Sequence, residues 1–238
     1  METKNQCGIL YLIPSLLAED SYSQAFPPFH KEIIQSIDYF LVEELRTARR
    51  FLSSYKISKP IEQLHFFELN KDTSKATIAG YFKEIGSDKN IGIISEAGCP
   101  GVADPGAIAV NYAHQIGMKV KPLVGPSSIL LALMASGLSG QSFTFYGYLP
   151  IEKSERIKAI KTLEEDAKKN SRTQIFMETP YRNNPLFHDL IAQCLPATQL
   201  CVASNIMAVE ESIVTKTIAD WKKNPVDLHK KPSIFLMF

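Results

Sequence analysis

No run of apolar residues in this chain approaches the roughly 20 needed to cross a bilayer, and the opening stretch, METKNQC, lacks the apolar core of a secretory signal. These absences predict a cytoplasmic protein with no membrane partner. Cysteine is scarce. Cys7, Cys99, Cys194 and Cys201 show no CxxC spacing and no paired histidines beside them, which argues against a zinc site and a disulfide framework and leaves reduced thiols and no expected metal. An excess of one charge is missing too: 26 basic residues face 25 acidic ones, so tight, sequence-independent capture of bare nucleic acid is not expected. Two local basic clusters remain, Arg46, Arg49 and Arg50, and Lys222, Lys223, Lys230 and Lys231. Each reads either as a solvated surface or as a small face toward an RNA particle. No GxGxxG follows the first apolar run, which speaks against a nicotinamide-dependent dehydrogenase.

What is present is an alternation of short apolar runs and helical spacings. With 238 residues the chain is long enough for two small domains, each with its own core. Residues 8–13 (GILYLI), 39–42 (YFLV), 64–69, 91–95 and 119–123 read as strands, with helical periodicity between them over 30–37, 49–55, up to Ile85, and over 107–116. Beyond residue 128 a helix through Ala135 is followed by strands at 143–146, 172–178, 199–204, 212–217 and 231–238, with a charged helix over 154–169. This order predicts an α/β protein built on mixed sheets. The Gly- and Ser-rich stretch 137–141 (GLSGQ) marks the domain boundary, giving an N-terminal domain 1–138 and a C-terminal domain 139–238.

The strand at 91–94 (IGII) runs into residues 95–106, SEAGCPGVADPG, where Gly and Pro forbid both helix and ladder. A shorter echo, LVGPSS, occupies 123–128 and opens a helix with Ser127 and Ser128 at its positive end. Shaped loops at the carboxyl ends of strands are where open α/β sheets bind ligands. The plain alternative is a pair of ordinary strand-to-helix connections, in which Asp104 caps the helix it precedes.

These two loops, with residues 143–150 (FTFYGYLP), resemble the tetrapyrrole methylase superfamily. Within it the resemblance is to the bacterial branch that methylates a cytidine 2′-hydroxyl of small-subunit ribosomal RNA, whose members carry SDAGTPxxxDPG, PLPGPSA and FxGFLP in the same order. The resemblance implies two α/β domains with S-adenosylmethionine in the cleft between them, an RNA or small-ribosomal-subunit partner, and a homodimer. It implies donor contacts at Pro14, Ala97, Gly98, Cys99, Val102, Ser127, Ser128, Met177, Ile206, Pro232 and Ser233. Relatives read EDTR where this chain has Glu43-Glu44-Leu45-Arg46, so Glu43, Glu44 and Arg46 are the candidate catalytic residues. A carboxylate there would orient or deprotonate the acceptor hydroxyl; otherwise it is a helix-terminal carboxylate with Arg46 at the surface.

The chain departs from that branch in places. Relatives read PTPIGNL where Pro14 is followed by SLLAEDSYSQAFPP, and Leu16 and Leu17 should reshape the loop. Cys99 replaces a threonine, Tyr181 replaces the histidine of ESxHR while Glu178 and Arg182 are kept, and residues 203–208 (ASNIMA) hold none of the charges of ARELTK. A tetrapyrrole or other small acceptor, or a donor-binding module without turnover, therefore stands beside the RNA methyltransferase reading. His65, with no partner at short range in the sequence, is expected to be structural.

Overall fold

The computed structural model describes residues 7–19, 21 and 25–238. The first six residues of METKNQC, and, of the residues that follow Pro14 in sequence, Asp20 and 22–24, lie outside them. The chain divides into two compact units, Met1–Pro126 and Ser127–Phe238.

The first unit runs β1 (Ile9–Ile13), α1 (Phe29–Gln35), β2 (Tyr39–Val42), α2 (Leu45–Ser54), a 3-10 turn (Ile61–Gln63), β3 (His65–Glu68), α3 (Lys75–Ile85), β4 (Ile91–Ile94), α4 (Gly106–Gln115) and β5 (Lys119–Pro122). Its strands pair in parallel in the order β3-β2-β4-β1-β5. Strand alternation sends side chains to two faces. Ile13, Phe40, Val42 and Ile94 meet Ile34, Phe51 and Leu52 on one face, while Leu10, Leu41, Ile91 and Ile93 meet Ile78, Phe82 and Ala109 on the other. The wholly apolar β4 is buried along its length in the middle of the sheet, and the mixed β3 and β5 take the edges. Because these strands are parallel, the loops after β1, β2, β4 and β5 leave from one edge.

The second unit runs α5 (Ser128–Ser136), β6 (Phe143–Tyr148), α6 (Lys153–Asn170), β7 (Thr173–Glu178), α7 (Asn183–Gln193), β8 (Gln199–Ser204), β9 (Ser212–Thr217), α8 (Ile218–Lys223) and β10 (Ser233–Met237). Its sheet, ordered β6-β7-β10-β8-β9, pairs β6 with β7 in parallel and the rest antiparallel, so this sheet is mixed as expected, whereas the first unit's sheet is parallel throughout because each of its strands returns through a crossover. Ile160, Leu163, Phe187, Leu190 and Trp221 cover Phe176, Val202 and Phe235 on one face. Between α6 and α7, the Arg156 Nε and Nη2 donate to Asp189 Oδ2 at 2.8 and 2.6 Å, a buried fork that fixes the two helices together. Helix α5 packs against β8, β9 and β10, and the Thr215 hydroxyl donates to the Ser136 carbonyl at 2.7 Å. The units therefore part at Pro126 and Ser127, ahead of the Gly-rich stretch at 137–141.

Candidate functional site

At the carboxyl edge of the first unit, two loops are tied to each other by two hydrogen bonds, and a third braces the loop after β4 from within. The Ser15 amide donates to the Gly98 carbonyl at 2.8 Å, the Ser15 hydroxyl to the Ser95 carbonyl at 2.5 Å, and the Ser95 hydroxyl to the Gly98 carbonyl at 2.8 Å. Gly98 and Gly101 adopt φ of +71° and +82°, left-handed backbone that glycine tolerates and other residues resist. Asp104 Oδ1 accepts from the amides of Gly101 at 2.5 Å and Gly106 at 2.8 Å, closing the loop and receiving the first residue of α4. The second Gly-Pro turn joins them: the Cys99 thiol donates to the Pro126 carbonyl at 3.5 Å, and Gly125 lies against Pro14. Pro14 and Gly98 are buried, Cys99 is half-buried, and Ala97 and Val102 are exposed at the loop surface. Burial, with the Asp104 carboxylate beside it, pushes the Cys99 thiol up.

The candidate catalytic residues follow β2. Glu44 is the N-cap of α2; its carboxylate accepts from the amides of Arg46 at 3.0 Å and Thr47 at 2.6 Å and from the Thr47 hydroxyl at 2.8 Å. Those bonds hold its pKa below the ordinary value. Glu43 makes no hydrogen bond or ion pair among the described residues, and burial followed by the Asp104 charge raises its pKa. Arg46 is exposed in the first turn of α2, likewise without an ion pair among the described residues. A third carboxylate, Glu96, exposed on the loop, joins this neighbourhood: partial loss of water around its carboxyl, then Glu43, then Glu44 push it up. Asp104 is raised by burial, against the pull of its two amide bonds. The only sequence signal for Glu96 is its place directly before Ala97 in the loop. His65 stays apart, exposed at the start of β3 and stacked on Tyr39 at 5.0 Å.

In the second unit, β10 aligns Ser233 with both Glu178 of β7 and Ser204 of β8, and Ile234 with Met177. Met177, Pro232, Ser233 and Ile206 thus gather at one end of the sheet, with Ser233 and Ile206 buried and Pro232 exposed. The Asn205 amide donates to the Pro232 carbonyl at 2.9 Å, and Asn205 and Met207 both take positive φ, so ASNIMA ends β8 at Ser204 and turns tightly over 205–208 without a charged side chain. Glu178, whose side chain is 1% exposed, accepts from the Thr179 amide at 2.7 Å and from Arg182 Nη2 at 2.6 Å. Ser127 caps α5 through the Leu130 amide at 3.4 Å, and Ser128 is that helix's first residue.

The chain is 33% identical over 219 residues to the ribosomal RNA small subunit methyltransferase I of Bacillus subtilis (strain 168), an alignment covering 91% of this chain and 70% of that protein. It belongs to the ribosomal RNA small subunit methyltransferase I family. The family protein of Vibrio cholerae is 31% identical over 218 residues, covering 91% of this chain and 71% of its own length. That of Escherichia coli O157:H7 is 26% identical over 238 residues, 98% of this chain and 78% of its own. No protein-family model matches the chain. Among solved structures, diphthine synthase superposes with a TM-score of 0.66 at 14% identity, over 97% of this chain and 89% of that one. Uroporphyrin-III C-methyl transferase from Thermus thermophilus, complexed with S-adenyl homocysteine, superposes with a TM-score of 0.57 at 12% identity, over 97% of both chains. This methyltransferase family member therefore has the tetrapyrrole methylase fold expected from its Gly-Pro loops.

Proposed function

We propose that this chain transfers a methyl group from S-adenosylmethionine to RNA of the small ribosomal subunit. The observation that carries the reading is the loop junction Ser15–Ser95–Gly98, tied by its three hydrogen bonds at the carboxyl edge of the parallel sheet. It fits the polar end of such a donor. Left-handed turns at Gly98 and Gly101, with Ala97 between them and the sheet, keep bulky side chains off a loop whose course is fixed by its own hydrogen bonds, which leaves room for the close approach that a carboxylate and an ammonium both need. In the first unit Pro14, Ala97, Gly98, Cys99 and Val102 would hold the donor; in the second, Ser127, Ser128, Met177, Ile206, Pro232 and Ser233 would. The donor supplies an electrophilic methyl on a sulfonium.

The chain's own residues have three tasks. The loops position the reactants, which is most of what an in-line displacement needs from a protein. The Cys99 thiol, kept protonated by burial and by Asp104, does not compete as a nucleophile. Glu43 takes the proton of the acceptor hydroxyl: its raised pKa makes it the better base of the β2 pair, and Glu44 is occupied by capping α2. The relatives' name supports the RNA acceptor and, with it, a cytoplasmic setting; the sequence resemblance supports a homodimer, for which sedimentation is the check. The uncharged turn at 203–208 favours a second reading, a small-molecule acceptor.

The test is transfer of labelled methyl to isolated small ribosomal subunits, free ribosomal RNA and a small-molecule extract in parallel. Label in the RNA, with turnover falling at least about tenfold in Glu43→Gln at unchanged donor affinity, is the expected result. Label confined to the extract would replace the RNA reading by the second one.

A further inference from the structure

A groove of about 600 Å³ opens on the first unit, between the loop after β1, helix α2 and the start of the loop after β4. Its volume falls within the range of small-molecule pockets. Leu16, Leu17, Phe51 and Ile94 supply apolar walls, and Arg50 and Glu96 stand among its polar lining. Leu16 and Leu17 belong to the stretch in which the sequence departs from PTPIGNL, so this wall is the chain's own. Helix α2 contributes Thr47, Arg50, Phe51 and Ser54, residues three and four apart that share one face.

That helix is basic on its open side. Arg50 meets Glu19 only at 3.6 Å, with both side chains largely exposed, a pair of little strength. Arg46, one turn earlier, has no ion pair among the described residues. Glu96 makes no hydrogen bond or ion pair among them either, which leaves a hydrogen-bond acceptor in the groove wall directly beside Ala97. An apolar slot suits the faces of a base, an unpaired carboxylate suits a nucleoside's amine or hydroxyl donors, and neighbouring arginines suit the flanking phosphates.

We infer that this groove seats one splayed nucleoside of single-stranded RNA, with the adjoining phosphates on Arg46 and Arg50. The inference rests on the proposed RNA acceptor and assigns it a binding site.

The test uses the full chain and isolated small-subunit RNA. Ser54→Trp places a ring at the mouth of the groove; the expected result is a KM for RNA raised about tenfold or more, with the donor's dissociation constant within about twofold of wild type. In the Arg46→Ala/Arg50→Ala double variant the slope of log affinity for the RNA against log salt should shrink by about 1.4, the share of two single-strand phosphates. This second variant is on an exposed face and carries the test if Ser54→Trp fails to fold. A wild-type KM in folded Ser54→Trp, or an unchanged salt slope, would overturn the groove assignment while leaving the RNA reading standing. Wild-type protein that binds donor and labels no small-subunit RNA would defeat the RNA reading itself, and the groove assignment with it.

Discussion

Gly125 and Pro14 touch so closely that a Cβ built on Gly125 would stand 2.5 Å from the proline Cβ and 2.6 Å from its Cγ. Two segments more than a hundred residues apart are thereby held together by the absence of a side chain. Gly125→Ala must push the Pro14 loop away. It should destabilise the protein by about 1–3 kcal/mol, as overpacking of a close contact does, and weaken donor binding more than a comparable substitution elsewhere. Thermal melting and calorimetry of the donor together check this.

Glu44 offers a way to separate capping from chemistry. If its task is to satisfy the amides of Arg46 and Thr47, Glu44→Ala should lower the melting temperature by roughly 2–4 °C, whereas Glu44→Asp, which can still cap, should recover most of it. Methyl transfer measured well below the melting temperature should be nearly unchanged in both. A large loss of turnover in Glu44→Asp with intact melting would return Glu44 to the chemistry.

The carboxyls Glu43, Glu96 and Asp104 all have folded-state pKa values above their unfolded ones. Between the two values the folded state binds more protons than the unfolded chain, so stability falls as pH rises through that window. Glu43→Gln and Glu96→Gln should therefore each melt higher than wild type near neutrality. The gain should vanish toward about pH 4, where the unfolded carboxyls are themselves protonating. A melting difference independent of pH would show that charge is not its origin.

Arg182 is the partner of a carboxylate that has almost no contact with water. Removing the guanidinium leaves Glu178, among the described residues, with the Thr179 amide alone, so Arg182→Ala should destabilise by about 1–2 kcal/mol, the figure for a broken buried pair reduced for the exposure of the arginine. In a Glu178→Gln background the same substitution should have much less effect. A double-mutant cycle by denaturant unfolding measures the difference.

Much of the frame was legible because buried parallel strands announce themselves. YFLV at 39–42 and IGII at 91–94 are apolar throughout, and both are strands with those bounds. The Gly-Pro loops were legible for a related reason, since few backbone courses accept Gly98, Gly101 and Pro105 in such short succession. Helix α5 shows where sequence falls short. SILLALMAS is apolar nearly all round, so its pattern points to no particular partner, and its packing on β8, β9 and β10 is settled by tertiary contact alone. Glu43 and Glu44 are chemically alike and adjacent in sequence; only the backbone course into α2 decides which carboxylate is spent on amides. Strand order, which sets β1 beside β4 and so brings Ser15 to Gly98, depends on pairings between residues about eighty apart.

The place of β10 bears on how the protein is made. The strand at Ser233–Met237 is the middle one of its sheet, whereas the first unit's sheet is complete once β5 ends at Pro122. On a translating ribosome the first unit can close early, while β7 and β8, which flank β10, must wait with open edges until the last of these residues emerges. That interval exposes two apolar strands to wrong partners. A chain stalled a few residues short of 237 would release one finished unit joined to one that cannot form its sheet.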